Sequence, residues 1–224
     1  MYYEGREQYF DAKRTAARRV LGRDARGAQF RARELPSNGE IRDALLQIVA
    51  LAEGRDRSRR LFAMRVVALQ VLTELAPWHA RLIGSVATGH ARRGSDIDIH
   101  VFTDSIDGLE LDLFRRQWTF ETEEVLIKVG TGFKVFQHIH AMDHPFPVEL
   151  SVYALRERRI ATRSSTDGKP IQRVSASRLK ERIEEAHPLL WEEYAQTGAL
   201  DLEGLDDGLT PGEFDGLLDE LDDA

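Results

Sequence analysis

The sequence predicts an α+β protein, a small mixed β-sheet flanked by helices on its N- and C-terminal sides. Three observations lead there. Apolar residues recur at helical spacing from Ile41 to Leu72. Short apolar runs at 80–83, 96–102 and 148–153 are bounded by Gly, Asp and Pro, as strands are. A further alternating pair, 119–129 and 133–140, is joined by Gly130-Thr131-Gly132 and reads as a hairpin.

The elements follow in order. Residues 4–21 read as a short Arg-rich helix, and 22–39 as linker, given Gly22, Gly27, Pro36, Ser37, Asn38 and Gly39. From Glu40, the spacing of Ile41, Leu45, Ile48 and Leu51 is amphipathic. Gly54 is expected to interrupt, with a longer helix following through Leu61, Met64, Val67, Leu69 and Leu72 towards Pro77. A strand from Ala80 to Ile83 ends at Gly84-Ser85, and a second runs from Asp96 to Phe102. A helix from Asp107 to Trp118, the hairpin, and a strand from Val148 to Tyr153 behind Pro147 complete the centre. Residues 163–170 read as a loop, and helices follow at about 176–186 and 188–196. Three regions result: 1–39, 40–200 with a core at 77–155, and an acidic tail at 201–224.

Composition narrows the chemistry. With 42% hydrophobic and 31% charged residues, the 224-residue chain is neither collagenous nor wholly disordered. It has no cysteine, which removes disulfides, thiolate metal sites and thiol nucleophiles. No apolar run is long enough to span a membrane. The first residues lack the apolar centre of a secretory signal, so a cytoplasmic location without membrane attachment is the expectation. The net charge of −7 is uneven. Ten acids and no bases lie in 201–224, which leaves 28 acids against 31 basic residues before them. Such a tail suits a protein partner, or a basic groove that it would occupy. Arginines greatly outnumber lysines; this suits phosphate contacts, although a genome-wide codon bias is the plainer reading for most of them.

One segment concentrates the chemistry: Gly84-Ser85, ten intervening residues, then Asp96-Ile97-Asp98-Ile99. Gly admits close backbone approach, and free N–H groups where a helix starts attract anions. Asp96 and Asp98 are two apart and share one face, while Ile97, Ile99 and Val101 face the core. Two adjacent carboxylates repel each other and invite a hard divalent cation. Glu149 is a lone acid among Val148, Leu150 and Val152, and a charge there is costly unless paired or metal-bound. A phosphate cradle beside paired carboxylates suits phosphoryl or nucleotidyl transfer.

These residues resemble the polymerase-β-like nucleotidyltransferase superfamily, whose signature is a Gly-Ser or Gly-Gly pair, then an acid-hydrophobic-acid strand and a third acid further on. The resemblance covers about residues 79–153. It implies that Gly84 and Ser85 hold a nucleoside triphosphate, most readily ATP. Asp96, Asp98 and Glu149 would bind two magnesium or manganese ions, and Glu149 could take the acceptor proton. Family members commonly have Asp as the third acid, and Glu149 is one methylene longer. The implied reaction moves NMP from an NTP to an acceptor hydroxyl and releases pyrophosphate. The acceptor would be a protein, a small molecule or a nucleic-acid end.

Other residues are weighed beside these. Arg92 and Arg93 could clamp phosphate or simply form a solvated turn. His100 shares the Asp96/Asp98 face, and His138 and His140 share one with each other. They could touch nucleotide or acceptor, but solvent-facing or hydrogen-bonded strand histidines are expected. Lys169 and Arg173 are further candidates for phosphate contact, although a surface loop is the plainer reading. Ser175, or Ser177, reads as a helix cap. The competing function is a binding or regulatory protein, antitoxin-like, that keeps the fold with little turnover.

Overall fold

The computed structural model describes residues 13–20, 32–129, 132–163 and 170–205. Residues 13–20 are helical (α1); the rest of the expected 4–21 helix, most of the expected linker and residues 206–224 lie outside that set. Helix α2, Asn38–Glu74, begins with a capping box. The Glu40 N–H donates to Ser37 Oγ at 3.1 Å, and the Ser37 N–H donates to the Glu40 carboxylate at 2.7 Å. The expected interruption at Gly54 does not occur, and the helix runs through it. One interior glycine costs only about 1 kcal/mol relative to alanine, and the helix is anchored further on by its packing. Met64, Val67 and Val71 are buried in its C-terminal half, and Leu75 is buried just past its end.

Five strands form one sheet: β1 Arg81–Leu82, β2 Ile97–Phe102, β3 Phe120–Val129, β4 Gly132–Ala141 and β5 Val148–Tyr153. Their spatial order is β1-β2-β5-β4-β3; β2 and β5 are parallel and the other pairs antiparallel. The sheet is therefore mixed, as the sequence predicts. β1 is shorter than the expected 80–83, and its Leu82 exchanges two backbone hydrogen bonds with Val174, which covers that edge. Gly130 and Thr131 lie outside the described residues, and Val129 pairs with Gly132 across them.

The remaining helices are α3 Gly84–Thr88, α4 Ile106–Arg115, α5 Ala176–Ala186 and α6 Pro188–Thr197. The Ser105 hydroxyl caps α4, and Ser175 caps α5 by accepting from the Arg178 N–H. α4 ends before the expected Trp118, and Gln117 takes a positive φ just beyond it. Strand alternation divides the sheet. Ile97, Ile99, Val101, Leu150 and Ile139 join α2 and Leu109 and Leu113 of α4 in one buried core. Asp98, His100, Glu149, Ser151, His138 and His140 line the opposite face. Residues 201–205 lie against α2: Leu205 is buried, the Arg60 guanidinium donates to its carbonyl, and Arg59 pairs with Asp201. Among the described residues no helix is long and apolar enough to cross a membrane.

Candidate active site

The site is built where β1 ends and β2 runs beside β5. In the parallel β2–β5 ladder Asp98 stands opposite Glu149, and in the β5–β4 ladder Glu149 stands opposite His140. His100 and His138 flank Ser151 one pair further along. Two carboxylates separated by about fifty residues thus become cross-strand neighbours. Asp96 lies one residue before β2 rather than in it, and its side chain reaches solvent.

Gly84 opens α3 with φ +68. A Cβ there would stand 2.0 Å from Asp98 Oδ2. Only glycine satisfies both the backbone conformation and the approach. The Gly84-Ser85 turn therefore abuts the Asp98 carboxylate. The other end of α3 is held by arginines that the sequence reading did not single out. Arg65 Nε donates to the Val86 carbonyl at 3.2 Å, Arg182 Nη1 to Ala87 at 2.8 Å and Arg57 Nη2 to Gly89 at 3.2 Å. A five-residue helix has little stability of its own, and its last carbonyls lack intrahelical partners. Cations at that end satisfy them and suit the helix dipole. One signal was legible: Arg65 is a lone charge in an apolar stretch of α2 and is buried.

The electrostatics follow the packing. Asp98 is pushed up to about 7, first by burial and then by the charges of Glu149 and Asp96, with His138 opposing. Asp96 is raised by the protein around it and by Glu149. Glu149 is held below its ordinary value, chiefly because His138 Nδ1 lies 2.5 Å from its Oε1. That same hydrogen bond raises His138. His100 is buried and lowered to about 3 by burial and then by the Arg173 charge, so it stays neutral. His140 faces Glu123 at 3.7 Å.

The fold thus gathers Gly84, Asp98 and Glu149, with Asp96 and Ser85 at the margin. Arg92 and Arg93 stay exposed in the turn before β2. Arg173 does not serve as a free phosphate ligand. Its guanidinium donates to His100 Nδ1, to the carbonyls of Arg158 and Ile160 and to the Thr162 hydroxyl, and it lies over the Phe102 ring. Lys169 lies outside the described residues.

The donor set tests the fit of a metal. Three carboxylates supply hard oxygens that suit magnesium or manganese, and their mutual repulsion is what a cation relieves. Among the described residues no three acids or histidines already converge as a ligand cluster. Magnesium commonly takes only one or two carboxylates and completes its shell with water and substrate phosphates. The residues present fit that pattern.

A glycine turn pressed against paired strand carboxylates on a mixed sheet defines a nucleotidyltransferase-type fold. Residues 70–158 match the family model described as a nucleotidyltransferase domain, which supports for that segment the resemblance to the polymerase-β-like nucleotidyltransferase superfamily. The match takes in Gly84, Ser85, Asp96, Asp98 and Glu149, and at a coarse level it supports a transferase role. Neither the curated proteins nor the solved structures include a match to the chain.

Proposed function

We propose that the protein transfers NMP, most readily AMP from ATP, to an acceptor hydroxyl on a protein, a small molecule or a nucleic-acid end. The observation that carries this reading is the approach of Gly84 to Asp98, which sets the Gly84-Ser85 backbone turn against the Asp98 carboxylate. Gly84 and Ser85 offer backbone N–H groups and a hydroxyl to the triphosphate. Asp96, Asp98 and Glu149 would hold two divalent ions, whose chemistry is to neutralise charge on the attacking and leaving oxygens.

In the reaction, the acceptor oxygen bonds to the α-phosphorus on one side. The bond from that phosphorus to the bridging oxygen breaks on the other, and its electron pair leaves with pyrophosphate. Glu149, kept ionised by His138, is placed to take the acceptor proton. Asp98 supports the reaction only as the carboxylate, and a cation draws it into that form.

The test is pyrophosphate release and α-label transfer with each of the four NTPs, with magnesium or manganese, beside an Asp96→Ala/Asp98→Ala control. Label on an acceptor, lost in the control, supports the proposal and gives the base preference. Absence of both transfer and nucleotide binding favours the regulatory, antitoxin-like reading.

A further inference from the structure

The third acid of this chain is a glutamate, and its extra methylene adds a rotatable bond between the strand and the carboxylate. A longer side chain loses more freedom when it is fixed, so precise placement needs something to hold it. Two groups do so here, and both act on one oxygen. His138 Nδ1–H donates to Glu149 Oε1 at 2.5 Å, and the Ser151 hydroxyl lies 3.5 Å from the same atom. Among the described residues no hydrogen bond falls on Oε2.

The sheet register makes this contact specific. His140 is the residue directly opposite Glu149, yet the bond comes from His138, which is paired with Ser151. The diagonal reach suits a long acid. An aspartate at this position would draw the carboxylate back by about 1.5 Å, the length of one C–C bond, and out of hydrogen-bond range of His138.

We infer that His138 is a positioning residue that compensates for glutamate as the third acid: it anchors Oε1 and turns Oε2 toward Asp98 and Asp96. This rests on the reading of these acids as a divalent-cation site. The imidazole itself touches neither metal nor nucleotide. Its donor nitrogen does the work, so an amide nitrogen in the same place substitutes for it.

The experiment measures manganese binding to the full chain by electron paramagnetic resonance, in the wild-type and Glu149→Asp backgrounds. In the wild-type background His138→Leu weakens manganese binding about ten-fold or more, the scale seen when a partner of a metal ligand is removed. His138→Asn, which keeps a donor near the position of Nδ1, restores most of it. In the Glu149→Asp background the leucine substitution changes affinity by less than about two-fold, because no contact remains to be lost. His138→Ala carries the same comparison if leucine unfolds the sheet, with folding followed by circular dichroism.

An equal loss in both backgrounds would overturn the inference, as would manganese affinity in His138→Leu equal to wild type. If the wild-type chain binds manganese no better than Asp98→Asn, the cation-site reading fails and takes the inference with it. If the wild type binds and His138→Leu binds equally, the inference alone fails.

Discussion

Gly84→Ala separates what a backbone conformation costs from what a close approach costs. At φ +68 a residue with a Cβ bears strain of about 1–2 kcal/mol. For a chain of this size that lowers Tm by about 2–8 °C. The new methyl carbon would also start 2.0 Å from Asp98 Oδ2 and 3.0 Å from its Cγ. Ordinary contact begins near 3.4 Å, so the carboxylate or the turn must yield by about 1.4 Å. A misplacement of about 1 Å in a reacting group costs about 100-fold in rate. The expected result is a modest loss of Tm with a fall of about 100-fold in label transfer. Gly198→Ala is the control, since Gly198 has φ +67 with nothing within 4 Å of its Cβ position. It should show a similar loss of Tm and unchanged transfer. Wild-type transfer by Gly84→Ala, or an equal transfer defect in both variants, would refute the reasoning.

Asp98 gives a pH prediction. Between its ordinary value of 3.8 and about 7 the folded chain holds a proton that the unfolded chain has lost, so stability falls as pH rises through that window. His138 adds to the fall, because its raised value contributes stability that is lost as pH rises through it. Glu149 runs the other way, its contribution being lost as pH falls through its lowered value. Asp98→Asn should therefore raise Tm near pH 8 by at least about 2 °C, what 1 kcal/mol brings at this size, and change it much less near pH 4; a loss of Tm near pH 8 contradicts this. Arg65→Met removes a buried charged donor from the Val86 carbonyl and should cost about 1.5–3 kcal/mol in urea denaturation. Leu205→Ala tests whether the start of the acidic tail belongs to the folded body. Leu205 is 1% exposed, and its truncation should cost about 2–5 kcal/mol by the same measurement; a cost near zero detaches the tail from the core.

Local periodicity accounts for much of what was legible. The alternation of Ile97, Asp98 and Ile99 and the apolar frame around Glu149 require only a two-residue repeat, so β2, β5 and the facing of Asp98 and Glu149 could be read directly, whereas Asp96 lies just before the strand. The capping signal at Ser175 is likewise local, and the helix starts there in the structure. Gly54 misled because its cost is local whereas the helix is stabilised by distant packing.

Contacts between distant segments belonged to the tertiary structure. That Gly84 must be glycine depends on Asp98 lying against it, which no spacing rule states. Arg57, Arg65 and Arg182 meet α3 only because α2 and α5 pack beside it. The histidines of β4 alternate plainly in the sequence. Yet which one would hold Glu149 depended on a register set by the hairpin and the β4–β5 ladder. The sequence by itself determined which side chains share a face, because that follows from the geometry of a single strand. Only the tertiary structure decided which faces and which oxygens meet, because strand register and helix packing are properties of the whole chain.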